Sequence, residues 1–125
     1  MPFNPTEFYE FSSWLNTKLP NTGFQQSVAR TIISRAYYAA LLNSSDVTGA
    51  QTLGGHDGVI NALKSKNLMT GNKLYALKML RQKSDYEKPD VTRSDINKAL
   101  RDSKSILNYL HKSADLTQGN YLNIS

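Results

Sequence analysis

The sequence predicts an all-α fold, a single-domain bundle of about five helices over residues 1–125. Apolar residues recur at spacings of three and four along nearly the whole chain, which is the period of an amphipathic helix. Segments containing proline or glycine interrupt this period and separate the helices. The length of 125 residues, 39% of them hydrophobic, is typical of one domain with one core. We place that core at about residues 5–115 and expect the aperiodic tail, residues 118–125, to fray.

The first helix is predicted to start at Asn4-Pro5-Thr6-Glu7, which supplies a cap, a proline at the first helical position and an acid. It should end near Lys18, before the breaking segment 20–23. We expect its apolar face to pack in the core: Phe8, Phe11, Trp14, Leu15 and Leu19.

The second helix, about residues 23–45, has apolar residues on more than one side, which is typical of the central helix of a bundle. They are Phe24, Val28, Ile32, Ile33, Ala36, Ala39, Ala40 and Leu42. Residues 46–58 are rich in glycine, serine and threonine and are interpreted as a long loop of the kind that often carries function.

Three further helices are predicted in the second half of the chain. The third, about 57–66, should face inward through Val59, Ile60 and Leu63, and Asp57 is a candidate cap. The fourth is expected from residue 72 to about 87, with Leu74, Leu77 and Leu80 inward. The last opens at a box-like cap, residues 92–95. Its inner stripe is Ile96, Ala99, Leu100, Ser103, Ile106, Leu107, Leu110 and Ala114, with Lys98, Arg101, Lys104 and Lys112 outside or flanking.

Composition narrows the classes of function. The chain has no cysteine and two histidines, so we predict no disulfide, no metal and no cofactor. No stretch is long and apolar enough for a membrane span and the start does not resemble an export signal, so we expect a cytoplasmic protein. Residues 1–62 hold three basic and four acidic side chains, whereas residues 63–125 hold twelve and six. This basic half indicates either an anionic partner or ordinary solubility charge.

Two arginines fall inside apolar stripes, where an unpaired charge is costly. Arg35 lies near the line of Leu42 on the second helix, and Arg81 lies among the leucines of the fourth. Asp85 follows Arg81 by four residues, so an ion pair within the helix is available. Both arginines therefore need an anionic partner, which is either an internal carboxylate or a phosphate of a ligand.

Tyrosine and histidine side chains are the other polar candidates. Tyr37 and Tyr38 point about 100° apart on a helix, so one can enter the core while the other reaches a cleft. His56, in the glycine-rich loop, could be a general base, a hydrogen-bond donor or solvated. His111 is at the margin of the last helix's stripe and is interpreted as a boundary residue.

Three blocks together resemble the HEPN superfamily, in particular its short stand-alone prokaryotic branch. They are SRAYYAA (34–40), HDGV (56–59) and LRQKSDY (80–86), in the family's order. The resemblance implies a helical bundle that forms a homodimer with a cleft between protomers. It also implies metal-independent ribonuclease activity in toxin–antitoxin or antiviral defence systems. In such enzymes an arginine and a histidine act on the scissile phosphate, and the 2′-hydroxyl of the RNA is the nucleophile.

The sequence departs from the family's signature, an arginine, four to six intervening residues and a histidine. Arg81 resembles the arginine, but Tyr86, Glu87 and Lys88 stand at the matching positions. A tyrosine is a poor base at neutral pH. His56 could substitute if its loop folds back toward Arg81.

Two hypotheses follow. In the first, the protein binds RNA or a nucleotide through Arg35, Tyr38, Arg81 and Asp85. In its enzymatic form, Arg81 stabilises the phosphorane while His56 or Tyr86 moves protons. In the second, the protein is a non-catalytic interaction module in which Arg35, Arg81, Asp85 and Tyr86 form a structural network and the basic last helix docks an acidic partner. The family resemblance also allows for a separate antitoxin or defence-system protein as a partner.

Overall fold

The computed structural model describes residues 4–21, 25–52, 55–86 and 90–114. These residues form five α-helices and, among them, no β-strand, which confirms the predicted all-α bundle. The helices are α1 (Thr6–Lys18), α2 (Gln25–Thr48), α3 (His56–Lys66), α4 (Leu68–Tyr86) and α5 (Arg93–Ala114), with a 3₁₀ turn at Leu19–Asn21. The tail at 118–125, predicted to fray, lies outside the described residues.

Helix α2 is the centre of the bundle, as its apolar pattern predicts. It packs against α1, α3, α4 and α5. Small side chains such as Ala36 and Ala40 let neighbouring helices approach closely, while Ile32 and Ile33 fill the space between them. Phe24, also predicted to be inward, lies outside the described part of the chain.

Helix α1 begins as predicted, but its apolar face is oriented differently. The Asn4 side chain accepts a hydrogen bond from the Thr6 backbone N–H at 3.0 Å. The prediction that Phe11 and Trp14 are core residues is wrong, because they are 44% and 55% exposed. Instead, the buried residues of α1 are Thr6 and Ser12, and Ser12 donates a hydrogen bond to the Ile32 backbone carbonyl at 3.1 Å.

The connection between α2 and α3 is shorter than predicted. Helix α2 continues to Thr48 and α3 begins at His56, so residues 46–48 and 56–58 of the predicted loop are helical. The prediction that Asp57 caps α3 is also wrong. The capping position is Gly55, whose φ of 105° favours glycine because a Cβ would be strained there.

Helices α3 and α4 meet at a sharp corner formed by one residue, Asn67. Its side-chain oxygen accepts hydrogen bonds from the backbone N–H and the hydroxyl of Thr70, at 2.9 and 3.0 Å. This cap starts α4 at Leu68, so the predicted start at residue 72 is wrong. Gly71 lies inside α4, where its backbone packs against Lys64 of α3.

Helix α5 closes the bundle. The predicted capping box is confirmed, since Thr92 N–H donates to the Asp95 carboxylate at 3.0 Å and Asp95 N–H donates to the Thr92 hydroxyl at 3.1 Å. Asp95 has a lowered pKa because the Thr92 backbone hydrogen-bonds its carboxylate. The members of the predicted inner stripe that are buried are Ile96, Ala99, Ser103, Ile106, Leu107 and Leu110.

None of the helices in the described part of the chain is both long enough and apolar enough to cross a lipid bilayer.

Candidate functional site

Five side chains come together where α2, α3 and α4 meet. We call them the arginine–tyrosine cluster: Arg35, Tyr37, Tyr38, His56 and Arg81. Helix α2 contributes three of them, α3 contributes its first residue, and α4 contributes the arginine of its last two turns. The two adjacent tyrosines diverge as expected on a helix, with Tyr37 fully buried and Tyr38 half-buried.

The ring of Tyr38 is in contact with both guanidinium groups. The Cζ atom of Arg81 lies 5.2 Å from the ring centroid, and that of Arg35 lies 5.5 Å from it. Each such contact contributes about 0.5–2 kcal/mol, depending on how well water is excluded. One half-buried ring thus holds two positive charges near each other, which favours the approach of an anion.

Arg81 has an internal partner, which is one of the two alternatives that its sequence position leaves open. Its Nε atom lies 2.8 Å from a carboxylate oxygen of Asp85, and the two side chains are only 17% and 25% exposed. The Arg81 guanidinium also lies 5.9 Å from the Tyr37 ring. The structural interpretation of Arg81, an ion pair within the helix, therefore holds in the structure.

Arg35 differs from Arg81. Among the residues that the structure describes, no carboxylate lies within ion-pair distance of its guanidinium. Its neighbours are the Tyr38 ring, the Phe8 ring of α1 at 5.0 Å, and the Ser34 hydroxyl at 3.4 Å. The anionic partner expected for Arg35 is thus not supplied within this part of the chain, and the cluster keeps a net positive charge.

His56 lies against the same two tyrosine rings that Arg81 contacts, so the condition for His56 to lie on the Arg81 side of the bundle is met. Its ring centroid is 5.7 Å from that of Tyr37 and 5.9 Å from that of Tyr38. The Tyr37 hydroxyl lies 2.8 Å from His56 Nδ1. Burial, and then the positive charges of Arg81 and Lys78, lower the pKa of His56, so the imidazole is neutral at pH 7.

The hydrogen bond to Tyr37 determines which nitrogen of His56 carries the proton. Burial raises the pKa of Tyr37 well above its usual value, so its hydroxyl keeps its proton. That buried proton needs an acceptor, and His56 Nδ1 is within reach. With Tyr37 as the donor, neutral His56 carries its hydrogen on Nε2, and this nitrogen is then a donor rather than a base.

Asp57, next to His56, ties α3 to α4. Its carboxylate accepts a hydrogen bond from the Lys78 ammonium at 2.7 Å, which lowers the pKa of Asp57. Sequence reasoning missed Phe8, the Tyr37–His56 bond and the Asp57–Lys78 pair, since all three join residues far apart in the chain.

The remaining candidates contribute less to this site. The side chain of Tyr86, the last residue of α4, lies outside the described part of the structure. His111 is half-buried on α5, as its boundary position predicts. Within residues 4–21, 25–52, 55–86 and 90–114, no group of three or more histidine or acidic side chains is placed to hold a metal ion.

Comparison of the chain with protein-family models, curated proteins and solved structures gives no match. The geometry of the arginine–tyrosine cluster is therefore the basis for a functional proposal.

Proposed function

We propose that the protein binds RNA or a nucleotide through phosphate groups at the arginine–tyrosine cluster. The observation that carries this proposal is Arg35, a half-buried guanidinium with aromatic neighbours and no carboxylate among the described residues. Guanidinium groups bind phosphate oxygens through paired hydrogen bonds. The Nε2–H of His56 is a further donor, and the Tyr38 ring offers a face to a base.

The resemblance to the HEPN superfamily supports the same proposal. It adds a biological setting, a toxin–antitoxin or antiviral defence system with a separate partner protein, and a homodimer as the working form. The three blocks that carry the resemblance supply all five residues of the cluster.

Binding is better supported than cleavage. Attack by the 2′-hydroxyl of RNA needs a base for its proton and an acid for the leaving 5′-oxygen. Arg35 and Arg81 could stabilise the charge that develops on the phosphorane, and His56 Nε2–H could be the acid. The cluster offers no free base for that proton, because Nδ1 of His56 is engaged in the hydrogen bond with the Tyr37 hydroxyl. We therefore propose a binding protein first and a ribonuclease second.

One observation favours a different class of function. The Arg81–Asp85 ion pair satisfies Arg81 internally, as a purely structural network would. In that case the protein is an interaction module, and the cluster stabilises its fold.

The test compares Arg35→Gln with Arg101→Gln, a matched loss of charge at an exposed position on α5. Fluorescence anisotropy with labelled single-stranded RNA in EDTA measures the affinity, and gel electrophoresis of the same samples detects cleavage. We expect Arg35→Gln to weaken binding about tenfold. We also expect it to reduce the slope of log affinity against log salt by about 0.7, while Arg101→Gln changes neither strongly.

Two outcomes decide against this proposal. Well-folded wild-type protein that does not bind RNA or nucleotides favours the interaction module. Equal loss of affinity in both variants indicates nonspecific attraction to the basic half of the chain rather than a site at Arg35.

Cleavage that persists in EDTA and disappears in Arg81→Gln would identify a ribonuclease.

A further inference from the structure

Helix α4 has a second apolar stripe that faces away from the core. Its inward face is formed by Leu74 and Leu77, which are fully buried. On the outer face, Leu68, Asn72, Tyr75 and Met79 follow one another at spacings of four, three and four residues, so they share one side of the helix. Three of these four are large exposed apolar residues. The stripe is about 17 Å long, or roughly three helical turns.

A groove between α4 and α5 continues this stripe. Its volume is about 560 Å³, and Leu68, Met69 and Ala76 provide apolar lining. Met69 is 70% exposed and Leu68 is 64% exposed, although both start a helix that packs well along its other side. Isolated exposed apolar residues are common on protein surfaces, but a stripe joined to a groove marks an interaction site.

Positive charges outnumber negative ones around the stripe and groove. Lys73 and Lys98 line the groove, and the Lys64 ammonium lies 5.1 Å from the Tyr75 ring. Lys73 donates a hydrogen bond to the Ser105 hydroxyl at 2.8 Å, so this partner is neutral. Lys98 pairs with Asp102 at 3.0 Å. Three ammonium groups therefore flank an apolar surface that includes one carboxylate, and that carboxylate is buried.

We propose that the outer face of α4 docks an acidic amphipathic helix of another protein. Apolar side chains of that helix, at spacings of three and four, pack on the stripe and enter the groove. Its flanking Asp or Glu side chains approach Lys64, Lys73 and Lys98. A second copy of this chain fits less well, because a symmetric contact through the same face would bring like charges together.

This docking face is distinct from the arginine–tyrosine cluster. Arg81 points about 150° away from the centre of the stripe around the α4 axis. A partner helix and a phosphate ligand can therefore be bound at the same time. The proposal does not depend on the function of the cluster.

The test uses a fluorescent synthetic peptide of about 15 residues, designed as a helix with leucines at three–four spacing and glutamates on both flanks. A matched peptide has every glutamate replaced by lysine. Anisotropy measures the binding of both peptides to the full-length protein. We expect the acidic peptide to bind at least about tenfold more tightly than the basic one, and Met69→Asp to reduce that affinity at least about tenfold.

Ser13→Asp is the control variant, since it adds the same charge at an exposed position of α1. It should leave peptide binding unchanged, and Met69→Asp should leave RNA binding unchanged. Equal binding of the two peptides, no binding, or full binding to Met69→Asp would overturn the proposal. Light scattering that shows a dimer for the wild type and a monomer for Met69→Asp would also overturn the proposal, because a second copy would then occupy the face.

Discussion

Residues of the same type have different roles in this protein because their surroundings differ. Tyr37 is fully buried and directs its hydroxyl to His56, whereas its neighbour Tyr38 presents its ring to two guanidinium groups. Arg81 has a carboxylate four residues away on its own helix, whereas Arg35 contacts aromatic rings. The positive charge that could attract a phosphate therefore arises from Arg35 more than from Arg81.

The lowered pKa of His56 predicts that acid destabilises the fold. Unfolded His56, with a pKa near 6.5, takes up a proton before folded His56 does. Its contribution to stability is complete above about pH 6.5 and is lost as the pH falls from there through the lower folded-state pKa. Urea denaturation of wild type and His56→Asn at several pH values measures this contribution. The difference in the free energy of unfolding should shrink with acid, and parallel curves would contradict the prediction.

At the scale of elements, the corner between α3 and α4 depends on a residue without a side chain. A Cβ atom at Gly71 would lie 2.6 Å from the Cα atom of Lys64, which is too close for two carbon atoms that are not bonded to each other. The corner also needs the extended backbone of Asn67, with φ −157° and ψ 109°, to reverse the chain in one residue. This close crossing positions α4, and with it Arg81, against α2 and α3.

Gly71→Ala should therefore destabilise the protein although alanine is the better helix former. Alanine gains up to about 1 kcal/mol in a helix interior, but the overpacked corner should cost about 1–3 kcal/mol in excess of that gain. Gly58→Ala in α3 is the matched control, because a Cβ there meets nothing within 4 Å. It should be neutral or stabilising. Thermal unfolding followed by circular dichroism compares them, and a stabilised Gly71→Ala would contradict the crossing.

At the scale of the whole molecule, α2 joins the other four helices into one core. Because each of them packs on α2, each buries part of its apolar face in a core shared with α2. Unfolding is then expected to be a single cooperative transition. The core draws residues from the whole chain, whereas the excess of basic residues lies in its second half.

Ile33→Ala tests this cooperativity. Ile33 is fully buried in α2, and the loss of its side chain should lower the free energy of unfolding by about 2–5 kcal/mol. Trp14, the single tryptophan, reports on α1 by fluorescence, while far-UV circular dichroism reports on all helices. Both urea transitions should shift together. A fluorescence midpoint that stays at the wild-type value would show that α1 unfolds independently.

Much of the fold could be predicted because its signals are local. The period of apolar residues identified all five helices, and Thr92 with Asp95 identified the start of α5. The errors occurred where a local signal has two meanings. Gly71 could end a helix or allow a close crossing, and the face of α1 with Phe11 could turn toward the core or toward solvent. Sequence spacing does not distinguish between them, because each depends on the neighbouring helix.

The contacts of the candidate site also include some that the sequence could predict and some that it could not. The Arg81–Asp85 pair was predictable because both residues lie on one helix, four positions apart. The contact of Arg35 with Phe8 and the bond between Tyr37 and His56 were not.

The sequence by itself determined the helical class and the central position of α2, since these follow from periodicity, and it offered the within-helix ion pair as one of two partners for Arg81. Only the tertiary structure decided that, among the described residues, Arg35 has no carboxylate within ion-pair distance, that the Tyr37 hydroxyl meets Nδ1 of His56, and which face of α4 is exposed. Those properties depend on distances between groups that are remote in the chain, and such distances are set by how the helices pack.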